Sequence, residues 1–354
     1  MEDIKRFLEE RKKLIDDRIK KFLPQSITEE YVEWAFGKAR FSYDIPTLQK
    51  SLSDPVWDFL NRGGKRWRPA LFLLVTEAMG GDIEKIMDFV TVPEFAHEGS
   101  IIIDDIEDLG EMRRGKPCTY KIFGVDVAIN AGNFMYTIPS LAFIKNRGNF
   151  PDNVLLDAYE VFTQEMINIH IGQAMDIWWH NGKVRDLKED QYLQMCAYKT
   201  GTLARMSAKL AVVLSGGSKE HSEKMGRFAE TLGVAFQIQD DILSASGEEF
   251  QDKKGFGDDI IEGKRTLIVI HALNNSSEED RNRLLQILDM HTHDEALIRE
   301  VISLLKKHDS INYAKEIARR LVREAWSEVE PLLPKSDAKS TMKSFADYLI
   351  NRKI

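Results

Sequence analysis

Cysteine is almost missing from this 354-residue chain, and the two that occur, Cys118 and Cys196, sit far apart in neither a CxxC nor a His-containing spacing. That excludes a disulfide framework and a thiolate zinc site, and leaves two ordinary reduced thiols. Proline is scarce too, at 10 residues, and no low-complexity tract occurs, so a largely disordered chain is excluded. No uninterrupted apolar run reaches the ~18 residues of a membrane span. The stretch Met1-Glu2-Asp3-Ile4-Lys5-Arg6 is charged at once, where a signal peptide needs an apolar core. A cytoplasmic protein with no transmembrane segment is therefore expected. An excess of positive charge is also lacking. The formal net charge is −8, and no basic stripe interleaved with aromatics offsets it, which argues against nucleic acid as a partner.

Strand-like alternation is scarce as well, and what fills the chain is helical periodicity. Ile4, Phe7, Leu8, Leu14, Ile15, Ile19, Phe22 and Leu23 recur at helical spacing, predicting a peripheral N-terminal helix over 1–24 that packs on the body or on a partner. Pro46 reads as a first-turn proline of a helix that Gly63-Gly64 breaks. Further helices are expected over 82–108, with Pro93 as a kink, and over 154–179, 192–214 and 225–243, with shorter ones from 267 to the end. The expected fold is all-α, with residues 1–354 forming a single-domain helical bundle around a central cavity.

Two acidic clusters stand out. In Ser100-Ile101-Ile102-Ile103-Asp104-Asp105-Ile106-Glu107-Asp108 an apolar run ends in four carboxylates, with Asp104 and Asp108 one helical turn apart. Like charges at that spacing repel, and acidic groups near a helix C-terminus oppose its dipole, so the cluster invites a hard cation such as magnesium. A solvated acidic face is the plainer alternative. The second cluster, Asp240-Asp241, closes another apolar helix. Opposed across a cavity, the two could hold several divalent cations and through them a diphosphate. Ionising a carbon–oxygen bond to diphosphate needs fixed positive charge, for which Arg113, Lys199 and Lys264 are candidates, and an apolar pocket must keep the carbocation from water.

At this point the chain resembles the trans-prenyltransferases, the family of farnesyl and geranylgeranyl diphosphate synthases. The likeness rests on an ordered set spanning residues 63–266. It opens with Gly63-Gly64-Lys65-Arg66-Trp67-Arg68-Pro69 and His97. The Asp104 cluster with Arg113-Arg114-Gly115, Gly172-Gln173 and Lys199-Thr200-Gly201 follow. Phe236-Gln237-Ile238-Gln239-Asp240-Asp241 and Asp258-Asp259-Ile260-Ile261-Glu262-Gly263-Lys264-Arg265-Thr266 complete it. The resemblance implies the isoprenoid synthase fold, a homodimer, and two substrate sites. Gly64, Lys65, Arg68, His97 and Arg114 would hold isopentenyl diphosphate without metal. Asp104, Asp105, Asp108 and Asp240 would hold three magnesium ions and through them the allylic diphosphate, with Arg113, Lys199 and Lys264 completing the clamp. Lys199, Thr200 and Gln237 would face the cationic carbon.

The second acidic motif carries Ser244 where many relatives have a third Asp, as in some eukaryotic-type geranylgeranyl synthases. The run from Asp240 to Glu248 also fits the metal pattern of class I terpene cyclases, and a non-catalytic subunit of a heteromeric synthase is a further alternative. The joint presence of Lys65, Arg68, His97 and Arg114 favours the synthase, since a cyclase has no need of a metal-free diphosphate site. Gly99 and Ser100 stand where short-chain members often place an aromatic floor. A glycine inside a helix costs about 1 kcal/mol relative to alanine, so Gly99 is expected to admit a growing chain or a neighbouring helix. Its alternative is tight helix packing. A twenty-carbon product is expected, with twenty-five or more as the alternative. Trp178, Trp179, His170 and His180 are expected in core packing or helix-end contacts, and His291-Thr292-His293 in a solvated loop. Residues 247–257 are expected to form a mobile loop closing over the diphosphates with Lys253 or Lys254, and Asp258 and Asp259 to reach metal through water.

Overall fold

The sequence periodicities become helices throughout the computed structural model, which describes residues 2–184, 186–246 and 257–351. The expected closing loop, including Lys253 and Lys254, lies outside the described residues, apart from Gly257. The chain divides into two compact units. The first comprises Met1–Met166, Met206–Glu223 and Pro334–Met342, and the second Ile167–Arg205, Lys224–Leu333 and Lys343–Ile354.

In the first unit the helix Glu2–Phe22 buries Ile4, Leu8, Ile15, Ile19 and Phe22 on one face and stops just before Pro24. Its polar face is tied down by Arg18 and Lys21, which both reach Asp88. The helix thus packs on the body of this unit, one of the two placements expected for it. The helix Trp67–Ala78 is buried nearly all round, as the core helix of a unit must be. Pro93 does not kink anything. It occupies the first turn of the helix Thr91–Glu107, where its missing N–H would have had no intrahelical partner.

Against that helix packs Val125–Thr137, and the approach is close because both surfaces carry glycine. A Cβ on Gly99 would lie 2.8 Å from Met135 Cβ and 3.0 Å from Gly132 O, and one on Gly132 would lie 2.7 Å from the Ile103 side chain. Gly99 therefore serves helix–helix packing and leaves no room there for a growing prenyl chain, which corrects its assignment to chain length. One stretch among the described residues, Val125–Lys145, is long and apolar enough to span a bilayer, with mean hydropathy 1.3. Asp126 and scattered polar residues conceal it from a search for uninterrupted apolar runs. Half of it is buried within the protein, and it divides into the helices Val125–Thr137 and Ser140–Lys145.

The only sheet among the described residues is a hairpin of two-residue strands, Met112–Arg113 and Lys116–Pro117, with Arg113 paired to Lys116. Its two-residue turn, Arg114-Gly115, has positive φ at both positions (52° and 76°), the pattern of a type I′ turn.

In the second unit Glu189–Cys196 runs into a π-helical turn, Ala197–Gly201. That turn is gripped by close backbone contacts. A Cβ on Gly172 would lie 2.2 Å from Lys199 N, and one on Gly233 would lie 2.5 Å from Gly201 Cα. Leu267–Asn275 buries six of its residues, and Phe228 packs against Trp326 with ring centroids 5.7 Å apart.

Candidate active site

The carboxylates of the first acidic motif differ in burial. Asp104 and Asp108 are half-buried, whereas Asp105 is buried to 1% exposure. Asp105 Oδ1 accepts a 2.7 Å hydrogen bond from Arg113 Nε, with Arg113 Nη2 at 2.6 Å, while Asp104 Oδ2 stands 3.8 Å from the same guanidinium. Burial raises the Asp105 carboxyl above its ordinary range, with Arg113 opposing the rise. The hairpin thus delivers a cation to a helix C-terminus whose dipole and neighbouring carboxylates are all negative. Asp105 Oδ2 is buried without a hydrogen-bond partner.

No three His, Cys, Asp or Glu side chains form a ready-made metal nest among the described residues. The donor set nevertheless fits magnesium, which takes oxygen ligands, keeps several waters and uses one or two carboxylates together with substrate phosphates. Asp104 and Asp108 offer half-buried carboxylate oxygens of that kind. Asp105 is committed to Arg113.

The basic motif also divides. Arg66 adopts a left-handed conformation (φ 49°) just before the helix Trp67–Ala78, and this turns its side chain inward. There it meets Asp16 at 3.0 Å and both Glu94 and Glu98 at 2.7 Å. Lys65 is exposed. Arg68 lies over the Trp67 ring, 4.4 Å from its centroid, with Nη1 3.1 Å from His97 Nε2. Burial and the charges of Arg68, Arg114, Arg66 and Arg113 push the His97 pKa well below its usual value. The ring is therefore neutral, and because arginine only donates, Nε2 accepts and Nδ1 carries the proton. Arg114 donates to Gly63 O, lies over the Phe59 ring and reaches both oxygens of Glu98 at 3.1 Å. A Cβ on Gly64 would stand 3.6 Å from Arg114 Nη1. Gly64, Arg68, His97 and Arg114 thus come together, while Ser100 only returns its hydroxyl to His97 O at 2.7 Å.

In the second unit the π turn presents Lys199 and Thr200 from one short arc. Thr200 Oγ1 donates to Gln237 Oε1 at 2.8 Å, and Gln237 Nε2 donates to Asp241 Oδ1 at 2.8 Å. Tyr192 OH donates to Asp241 Oδ2 at 2.5 Å. Both oxygens of Asp241 are thereby engaged, and burial together with Asp259 pushes its carboxyl up to about 8. Its neighbour Asp240 is half-buried. Lys199 pairs with the buried Asp176, and Lys264 pairs with Glu262 and stands 3.8 Å from Asp259. Ser244 Oγ accepts from the Asp259 N–H at 3.4 Å, so it ties the helix Lys219–Ser246 to the segment bearing Lys264.

Sequence reasoning missed Glu94, Glu98, Asp176 and Tyr192, and assigned Arg66 and Asp241 no role of their own. Glu94 and Glu98 at i,i+4 on an otherwise apolar helix were a usable signal, as was Asp176 one turn beyond Gln173. Tyr192 gave none. Of the residues read as bland, Trp179 and His180 are buried, whereas Trp178 is 58% exposed and His170 is exposed, which corrects the expectation of core or helix-end packing for those two. His291 is exposed, with Nδ1 3.1 Å from Ile261 O.

The polyprenyl synthetase family profile matches residues 49–305. A short chain isoprenyl diphosphate synthase of Methanothermobacter thermautotrophicus is 34% identical over 313 residues, which is 86% of this chain and 94% of that protein. A geranylgeranyl pyrophosphate synthase of Dictyostelium discoideum is 32% identical over 79% of this chain and 88% of its own. Among solved structures, geranylgeranyl pyrophosphate synthetase from Pyrococcus horikoshii superposes with a TM-score of 0.85 at 30% identity, over 99% of both chains. A polyprenyl synthase from Caulobacter crescentus complexed with calcium and isoprenyl diphosphate shares the fold, with a TM-score of 0.82 at 20% identity. The chain belongs to the polyprenyl synthetase family and is a trans-prenyltransferase of all-α isoprenoid synthase fold.

Proposed function

We propose that this single catalytic domain condenses isopentenyl diphosphate head-to-tail with allylic diphosphates to give all-trans geranylgeranyl diphosphate. The observation that carries the reading is the presence of two anion sites of opposite chemistry. One is acidic, with half-buried carboxylates that can meet a diphosphate only through cations. The other is built of arginines around a neutral histidine and can meet one directly. A terpene cyclase would use only the first.

Asp104, Asp108 and Asp240 would hold magnesium, three ions in all, and Arg113, Lys199 and Lys264 would supply the remaining positive charge. Asp105 keeps Arg113 in place. The metal, when bound, neutralises charge on the departing diphosphate. The allylic carbon–oxygen bond breaks with its electron pair leaving on diphosphate. The Thr200 and Gln237 oxygens face the cation, and Gln237 is held in that orientation by Asp241. The double bond of isopentenyl diphosphate, whose diphosphate is fixed by Gly64, Lys65, Arg68, His97 and Arg114, attacks the cation. The new carbon–carbon bond leaves a second cation, which loses a proton to the released diphosphate.

The twenty-carbon product is supported by the names of the relatives. A cytoplasmic homodimer is the working assembly. The helix Asp152–His180 exposes Leu156, Tyr159, Ile167, Ile171 and Trp178 along its length, a stripe that a second copy would cover. Incubation with magnesium, isopentenyl diphosphate and each of dimethylallyl, geranyl and farnesyl diphosphate, followed by separation by chain length, tests the reading. Geranylgeranyl diphosphate is the expected end product. Cyclic hydrocarbons formed without isopentenyl diphosphate, or no turnover with any primer, would refute it.

A further inference from the structure

The Glu98 carboxylate is a poor choice for a pocket that merely needs positive charge. It is 1% exposed and lies where a Cβ on Gly64 would stand 3.5 Å from Oε1, so it adds negative charge beside an anion site. An amide or an apolar side chain there would attract a diphosphate better. What Glu98 supplies is geometry. Its Oε1 accepts from Arg66 Nη1 at 2.7 Å, and Arg66 is itself fixed by Asp16, Glu94 and the Leu60 carbonyl. From that anchored position the two Glu98 oxygens meet Arg114 Nη2 and Nη1, each at 3.1 Å.

Arg114 needs such a partner. It occupies the tip of a two-residue hairpin turn with φ 52°, where a long side chain would otherwise sample many rotamers. The base of the hairpin is already secured, since Arg62 donates to Arg113 O at 3.2 Å and Lys116 pairs with Asp58 at 3.4 Å. Glu98 extends that order to the guanidinium, which it joins to the helix bearing His97. Glu98 faces Arg66 and Arg114 directly and has Glu94 as its nearest like charge; burial and Glu94 push its carboxyl up to about 7 against the pull of the two arginines.

We infer that Glu98 is a positioning residue for the metal-free diphosphate pocket, holding Arg114 in the orientation that receives isopentenyl diphosphate, with Arg66 as its anchor. The inference rests on the assignment of that pocket under the proposed function. Preorganisation of this kind appears in ground-state affinity and leaves the chemical step alone.

The test compares wild type with Glu98→Gln, Arg114→Gln and the double variant. Steady-state kinetics with magnesium is combined with calorimetric binding of isopentenyl diphosphate in EDTA. Glu98→Gln keeps the shape but loses the charge and one acceptor. It should weaken isopentenyl diphosphate about tenfold, in both KM and Kd, with kcat and the allylic KM within about twofold. Arg114→Gln should weaken it at least as much, and the double variant should be no worse than Arg114→Gln within about twofold, because Glu98 acts through Arg114. Unchanged affinity in Glu98→Gln, or losses that multiply in the double variant, overturns the inference alone. Unchanged affinity in Arg114→Gln overturns the pocket assignment and the inference with it. Should Glu98→Gln fail to fold, Glu98→Asp, which keeps the charge but withdraws the carboxylate by one methylene, is read in the same way.

Discussion

Replacing Gly172 by alanine should damage catalysis without touching a group that meets substrate. The added Cβ would lie 2.2 Å from Lys199 N and 2.6 Å from Tyr198 C, whereas ordinary contact begins at 3.4 Å. Both atoms are backbone, so no side chain can rotate away, and the π turn must retreat by about 1 Å. Overpacking of this kind costs about 1–3 kcal/mol, and with rigid neighbours the upper half of that range applies. Alanine in place of glycine returns about 1 kcal/mol of helix propensity, which leaves a net loss of about 1–2 kcal/mol. Thermal denaturation should show this as a Tm lowered by about 1–3 degrees.

The kinetic effect should exceed what that loss suggests. Lys199 and Thr200 ride on the displaced arc, and misplacing positioning groups by about 1 Å costs on the order of 10²-fold in kcat. The KM for isopentenyl diphosphate, which residues 64–114 would bind, should move by less than about threefold. Gly233→Ala presses the same turn from another side, 2.5 Å from Gly201 Cα, and should behave alike. A Tm within about one degree of wild type together with kcat within about twofold would refute the claim that these glycines set the position of the turn.

Asp104→Ala should lower turnover by about 10³-fold or more while isopentenyl diphosphate still binds in EDTA within about threefold of wild type. Equal loss of both would contradict two separate sites, and chelation of the wild type should reproduce the same split, reversed by added magnesium. Ile167→Glu, on the exposed stripe of the helix Asp152–His180, should shift the mass measured by light scattering from dimer to monomer. A wild type that is monomeric at micromolar concentration would remove the homodimer assignment.

Period and charge made the helices and the outline of both acidic motifs readable before any coordinates, because a 3.6-residue repeat and a crowd of carboxylates survive without tertiary context. What could not be read is which way neighbouring residues turn. Arg66 and Arg68 belong to one basic run, yet a left-handed residue at position 66 sends the first into a buried carboxylate cluster and leaves the second to His97. Asp104 and Asp105 are adjacent, and helical geometry alone separates the half-buried carboxylate from the one consumed by Arg113. Gly99 could be read either as room for product or as room for a helix, and only Met135 and Gly132 decide for the helix. In the Tyr192–Asp241–Gln237–Thr200 chain, Gln237 and Asp241 share a helix face at i,i+4 and the family likeness brings Thr200 to Gln237, but no spacing in the sequence pointed to Tyr192.

The π turn at Ala197–Gly201 carries a consequence for how this chain can change. Such a turn amounts to one residue more than an α-helix would use, and each residue of a helix spans about 100° of rotation. Deleting a single residue between 197 and 201 would let the flanking helices fuse, swinging Lys199 and Thr200 to another face while every other side chain kept its identity. Loss or gain of one codon here is therefore a rotary switch, able to silence the synthase in one step and to restore it in one.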